Sequence, residues 1–220
     1  MSKNNYDDAI KFYTQAIEIN PNSSDAFYNR GNAYQKKKDF RASIPDFTKA
    51  IDLRQNSPDS FGNRCGSYLK LGEFDKAIAD CNKAVELNPN LEEVYFNRGL
   101  AYGNKGNHQE AIRDFTKSIS LNSKDAAGFS ARATAYQHLG DLENSLSDYS
   151  QAINLEPQNP ANYFQRGLIF TVKSDSEKAA SDFTKVLEID PTNQQVRQIV
   201  ALKKELQNQP ALKKKLSDLR

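Results

Sequence analysis

Arginine and aspartate recur together along this chain. Arg30, Arg64, Arg98, Arg132 and Arg166 follow one another at intervals of 34 residues, as do Asp46, Asp80, Asp114, Asp148 and Asp182. A guanidinium is permanently charged and presents a planar fork that suits a carboxylate. Two uses are open to such a set: ion pairs that hold structure, or an arginine stripe that takes phosphate or an acidic peptide. Constancy favours structure. An arginine at a packing position costs several kcal/mol unless neutralised, so every copy needs its acid. At the ends of the array the two types vanish together: Phe12 takes the aspartate position and Val200 the arginine position. That favours pairing inside each unit.

Other reactive groups are sparse. His108 and His138 are the only histidines, and no Cys/His cluster has metal-ligand spacing. No G-x-x-x-x-G-K-[ST] loop occurs. The residue set predicts a protein that is not an enzyme, with no catalytic residue, no metal and no cofactor. Cys65 and Cys81 do not make a disulfide framework. They are expected to be small buried hydrophobes, as free thiols in a reducing compartment.

The elements that must position these residues follow from the same interval. Let units start at Ser24, Pro58, Glu92, Ala126 and Pro160. Position 4 is aromatic: Phe27, Phe61, Tyr95, Phe129, Tyr163. Position 8 is small: Gly31, Cys65, Gly99, Ala133, Gly167. Position 11 is aromatic again. Position 20 is small, and position 24 is mostly aromatic: Phe47, Cys81, Phe115, Tyr149, Phe183. Positions 4, 8, 11 and then 20, 24, 27 each step as one face of a helix. Gly72, Gly106 and Gly140 separate the two runs with a turn. Each unit is therefore a helical hairpin. The small residues are expected to let its two backbones approach, with aromatics filling the space between hairpins. A fixed period of this length means stacked repeats with no single globular core, which suits a chain only 38% hydrophobic.

This pattern resembles the tetratricopeptide repeat (TPR) family, in a variant reading N-R-G-x-A-Y and D-F-T-K-A-I. The resemblance covers about residues 6–193. It implies an all-α fold, a right-handed superhelix of antiparallel helical hairpins. The expected organisation is a partial repeat at 1–23 (second helix only), full repeats at 24–57, 58–91, 92–125, 126–159 and 160–193, and a capping helix with a basic tail at 194–220. That last segment carries seven basic and two acidic residues within a chain of net charge +2. Pro45 falls at position 22, inside a second helix, and predicts a kink or a late helix start there.

The resemblance also implies a binding groove lined by the first helices. Position 6 reads Asn29, Asn63, Asn97, Ala131, Gln165. An asparagine amide can pair with the N–H and C=O of an extended peptide together. The candidate groove residues are Asn29, Asn32, Asn63, Asn97 and Gln165, with Tyr28, Phe96, Leu100 and Phe164 as side-chain contacts. The slots that clamp a chaperone's C-terminal carboxylate would be Tyr28, Asn32, Asn63, Glu93 and Asn97. All three required cations are missing, which argues against that partner.

The function expected is a non-catalytic scaffold or adaptor, binding a peptide segment or partner helix. The alternative is a self-assembling subunit, using the face left open on the N-terminal half-repeat (Tyr6, Ile10, Tyr13, Ile17). An RNA-binding repeat fits less well, because pentatricopeptide arrays have a longer period. No nucleic acid is expected as a partner. No apolar run spans a membrane and no signal-peptide core is present, so a cytoplasmic location is expected.

Overall fold

The computed structural model describes residues 3–208, with side chains described for 5–202. The basic tail at 209–220 lies outside the described residues, as do the side chains of Lys203, Lys204 and Leu206. Every element among the described residues is a helix. They are α1 (Lys3–Ile19), α2 (Ser24–Lys36), α3 (Phe40–Leu53), α4 (Pro58–Lys70), α5 (Phe74–Leu87) and α6 (Glu92–Asn104). Then follow α7 (His108–Leu121), α8 (Ala126–His138), α9 (Leu142–Leu155), α10 (Pro160–Val172), α11 (Ser176–Ile189) and α12 (Gln194–Asn208). The described residues form two compact units, divided between Gly140 and Asp141. In the first, α2/α3, α4/α5 and α6/α7 are hairpins, with α1 packed on α2 and α8 on α7. In the second, α10/α11 is a hairpin flanked by α9 and α12.

Each hairpin turns through one left-handed residue at position 15. Glycine supplies it at Gly72 (φ 76°), Gly106 (φ 82°) and Gly140 (φ 76°), while Lys38 (φ 63°) and Ser174 (φ 61°) adopt it despite a side chain. The next N–H closes the turn onto the aromatic at position 11, as in Glu73 N to Tyr68 O at 2.9 Å and Asp175 N to Phe170 O at 2.9 Å. Aspartate side chains then cap α3, α9 and α11, while α5 and α7 start without a side-chain cap. Asp39 accepts from Ala42 N at 3.1 Å and Asp175 from Lys178 N at 3.2 Å.

One expectation is extended here and another corrected. The position-24 ring does meet the next hairpin, as Phe115 does at Ala135, and it also lies against position 8 of its own. A Cβ on Gly31 would come within 2.8 Å of the Phe47 ring, one on Gly99 within 2.7 Å of Phe115, and one on Gly167 within 2.9 Å of Phe183. Phe47 is 0% exposed, and burying such a ring contributes about 2–3 kcal/mol. The late start at Pro45 does not occur. α3 begins in frame at Phe40 and continues through Pro45. Arg41 and Pro45 are both exposed, so water can reach the Arg41 carbonyl that the proline leaves without an N–H.

The cysteines need a second correction. They are fully buried, but they are not free thiols: Cys65 and Cys81 form a disulfide with Cα atoms 5.5 Å apart. They occupy positions 8 and 24, the same two places that hold glycine and a ring in the neighbouring hairpins. Facing positions explain why two cysteines can bond there. The reducing-compartment expectation rested on free thiols and loses that support.

Candidate functional site

The arginines are junctions. Within each hairpin described in full the guanidinium makes a bidentate pair with its own aspartate. Arg30 donates from Nε and Nη2 to Asp46 at 2.8 and 2.7 Å, and Arg64 to Asp80 at 2.6 and 2.7 Å. Arg98 reaches Asp114 at 2.7 Å twice, and Arg166 reaches Asp182 at 2.9 and 2.7 Å. The aspartates are buried. Burial works against the Arg64 and Arg98 charges, and the hydrogen bonds to Asp80 and Asp114 together with those aspartates' charges outweigh it, so both guanidinium pKa values are raised. Nη1 then reaches back one helix, to position 25 of the preceding repeat. Its acceptors are Thr14 at 3.1 Å, Thr48 at 2.9 Å, Asn82 at 2.7 Å, Thr116 at 3.0 Å and Ser150 at 2.9 Å. Each arginine also lies over the position-4 ring, 5.4–5.8 Å from the centroid. The acceptor at position 25 was not identified from the sequence, because its residue type changes between threonine, asparagine and serine.

A second tie joins successive repeats. Lys37 pairs with Asp7, Lys105 with Asp75 and Lys173 with Glu143, each across 30 residues. These pairs link the start of a second helix to the end of the next first helix.

In the first unit, α2, α4, α6 and α8 present the candidate groove residues. Asn29, Asn32, Asn63 and Asn97 are half-buried. The asparagines are not independent: Asn63 Nδ2 donates to Asn32 Oδ1 at 2.7 Å and to Tyr28 Oη at 3.3 Å. Gln35 Nε2 crosses from α2 to α4, donating to Asn63 O at 2.6 Å and Ser67 Oγ at 2.8 Å. Gly66 keeps this face open beside Asn97, whose Nδ2 would lie 3.6 Å from a Cβ there. The aromatics are less free than the sequence suggested. Tyr28 packs on Phe47 at 6.1 Å between centroids and Phe96 on Phe115 at 5.7 Å. Leu100 packs against the same core.

In the second unit, Phe164 tilts onto Phe183 at 6.1 Å. Phe164 and Leu168 join a cluster with Val186 and with Val196 of α12. Gln165 is half-buried, whereas Val172 is 73% exposed.

Another feature, not anticipated from the residue pattern, lies between α6 and α8. A cavity of about 260 Å³ is lined by Leu100, Gly103, Asn104, His108, Phe115, Ala131, Thr134, Ala135 and His138. The His108 and His138 rings stack there, with centroids 4.4 Å apart and planes within 5°. Burial, then the neighbouring His138, hold the His108 pKa below the ordinary histidine value. A signal was present: these histidines are 30 residues apart, the separation of the lysine–acid ties. Among the described residues no group of three or more His, Cys, Asp or Glu could hold a metal, and no helix is long and apolar enough to cross a membrane.

Family models place the chain. A TPR repeat model matches residues 1–38 and 67–106, and tetratricopeptide repeat models match 24–57, 92–125, 129–159 and 160–193. No curated protein matches. Among solved structures, PilF of Pseudomonas aeruginosa aligns with a TM-score of 0.77 at 19% identity, over 90% of this chain and 90% of that one. YrrB, described as a TPR protein with an unusual peptide-binding site, aligns at 0.73 and 17% identity, over 86% of this chain and 97% of that one. MamA of Desulfovibrio magneticus RS-1 aligns at 0.72 and 18% identity, over 78% and 97%. At these identities the likeness is one of fold. With three TPR models matching along most of its length and every described element a helix, the chain belongs to the tetratricopeptide repeat family.

Proposed function

We propose that this protein is a non-catalytic interaction scaffold that holds a peptide segment or partner helix on the first-helix face of residues 24–138. The family supports an interaction scaffold in general. The observation that carries the finer reading is the tied polar row Tyr28–Asn32–Asn63, with Asn97 beyond it. Its bonds commit the Asn63 amide hydrogens and hold the side chain in one orientation. The carboxamide oxygen is then set to accept from a ligand backbone, with less rotamer entropy left to lose on binding. YrrB, similar in fold, is described as having a peptide-binding site, which is consistent with this use.

The test is a pull-down with the wild type and with a variant carrying Asn29→Ala, Asn63→Ala and Asn97→Ala. Partners lost selectively from a folded variant support the reading; identical partner sets would refute it. Self-association is a second reading, supported by two exposed apolar side chains on α1, Phe12 at 64% and Ile19 at 86%. Phe12→Asp would then shift the solution mass toward monomer; a wild type that is already monomeric would exclude it.

A further inference from the structure

The cavity between α6 and α8 combines three departures from the repeat pattern. Position 12 is Gly103, where Leu69 and Gln137 stand in neighbouring repeats. Position 6 is Ala131, where the other four repeats have an asparagine or glutamine. These two small residues leave the space. The chain's only histidines close one end of it.

The lining has a polarity of its own. Phe115 and Ala135 form a buried apolar floor, and Leu100 adds to it. The polar members are Asn104, Thr134 and the two imidazoles. Thr134 donates its hydroxyl hydrogen to Ser130 O and Asn104 one amide hydrogen to Leu100 O. The imidazoles and the second Asn104 amide hydrogen remain as donors. No acid lines the cavity. Nearby charges are engaged elsewhere. On α7 Glu110 lies 3.7 Å from Arg113. Lys105, after α6, is tied to Asp75 at the start of α5. On α8 Arg132 lies over Phe129 and donates to Thr116. Two imidazoles held face to face with no carboxylate partner leave an anion as the missing complement.

We propose that this cavity receives a carboxylate at the end of a short apolar stem, the stem lying on Phe115 and Leu100 and the carboxylate meeting the His108–His138 pair. The inference rests on the groove reading, because the carboxylate arrives on the bound segment. It has two sources, an acidic side chain or a chain terminus. The sign of the pH dependence follows. In the free protein burial, and then the neighbouring His138, disfavour charge on His108. A carboxylate favours the imidazolium, so binding takes up a proton. Affinity rises as pH falls through the histidine range, by up to about tenfold per pH unit for one proton; it levels off once the free imidazole is itself protonated and falls when the carboxylate protonates near pH ~4.

The test uses the full chain and two single-residue probes, followed through the histidine ring C–H signals by NMR. N-acetylglutamate α-amide stands for an acidic side chain and N-acetylleucine for a chain terminus, with N-acetylglutamine α-amide and N-acetylleucine amide as neutral counterparts. At least one acid is expected to give saturable shifts at His108, His138 and the Ala131 methyl, and to move the histidine titrations to higher pH. Whichever acid does so identifies the source. Ala131→Leu, which fills the cavity but keeps both histidines, is expected to abolish the response. Absence of saturation with both acids, or an equal response to the amides, would overturn the proposal. The probes do not span the asparagines, so the two readings separate. Probe binding retained while the asparagine variant keeps every partner sinks the groove reading alone. Probe failure with selective partner loss in that variant sinks this inference alone.

Discussion

Reducing the Cys65–Cys81 bond isolates one hairpin of the array. The bond ties α4 to α5 across a sequence separation of 16 residues. In the chain-entropy account, closing a loop of that size removes about 3 kcal/mol of conformational freedom from the unfolded ensemble. Little offsets this in the folded state, because both sulfurs are fully buried and reduction brings in no larger group. Reduction should therefore destabilise the α4/α5 hairpin by about 3 kcal/mol. Repeat arrays feel such a change locally and through nearest-neighbour interfaces. Urea unfolding with and without reductant measures the change, and native-state hydrogen exchange locates it. Amides of α4 and α5 should lose the most protection, those of α2 and α7 less. Intact mass under both conditions confirms the redox state. A paired variant, Cys65→Gly with Cys81→Phe, restores the packing used by Gly31/Phe47 and Gly99/Phe115. It should be stable and indifferent to reductant. An unfolding midpoint that does not move on confirmed reduction would refute the loop argument. An equal shift in the paired variant would refute the assignment to this bond.

Other expectations are briefer. Asp114→Ala leaves the Arg98 guanidinium with Asn82 and the Tyr95 ring but no counter-charge; a loss of about 3 kcal/mol is expected by urea unfolding, and an unchanged midpoint would mean the pair contributes nothing. Gly99→Ala sets a Cβ 2.7 Å from the Phe115 ring and should cost about 1–3 kcal/mol, with Phe115→Leu in the same chain recovering part of it. Ser174→Gly relieves a left-handed backbone and should stabilise by roughly 0.5–1 kcal/mol; a destabilised variant would show that the serine side chain contributes more than its strain costs.

The hairpins were legible because the same six positions recur in five units, so each unit checks the others. Partner assignments were less so. Recurrence shows that position 8 is small and position 24 large. It does not say whether they meet within a hairpin or between two. The Gly31–Phe47 and Gly99–Phe115 approaches show that they meet within one. Once that is known, Cys65 and Cys81 fall on facing positions. The compositional argument from only two cysteines had pointed away from a bond. Lys38 and Ser174 carry no turn signal of their own; only their alignment with Gly72, Gly106 and Gly140 marks them. The histidine stack was missed because positions 13 and 17 vary freely along the chain, and a pattern search discards what does not recur.

Ala131 bears on both readings. On the ladder frame it is a defect, a missing amide between Asn97 and the next repeat. On the α6–α8 face it is what opens the cavity, since it stands on the lining with Gly103 and the two histidines. One residue cannot serve both ends. Ala131→Asn would add a rung, but its amide would project into a space of about 260 Å³ and place a second donor–acceptor group beside the imidazoles. The expected result is a probe titration at His108 and His138 weakened by about tenfold or more, the scale of roughly 1.4 kcal/mol. Unchanged probe affinity would show that the cavity tolerates the rung, and the absence of an amide at position 131 would then have no functional explanation in this structure.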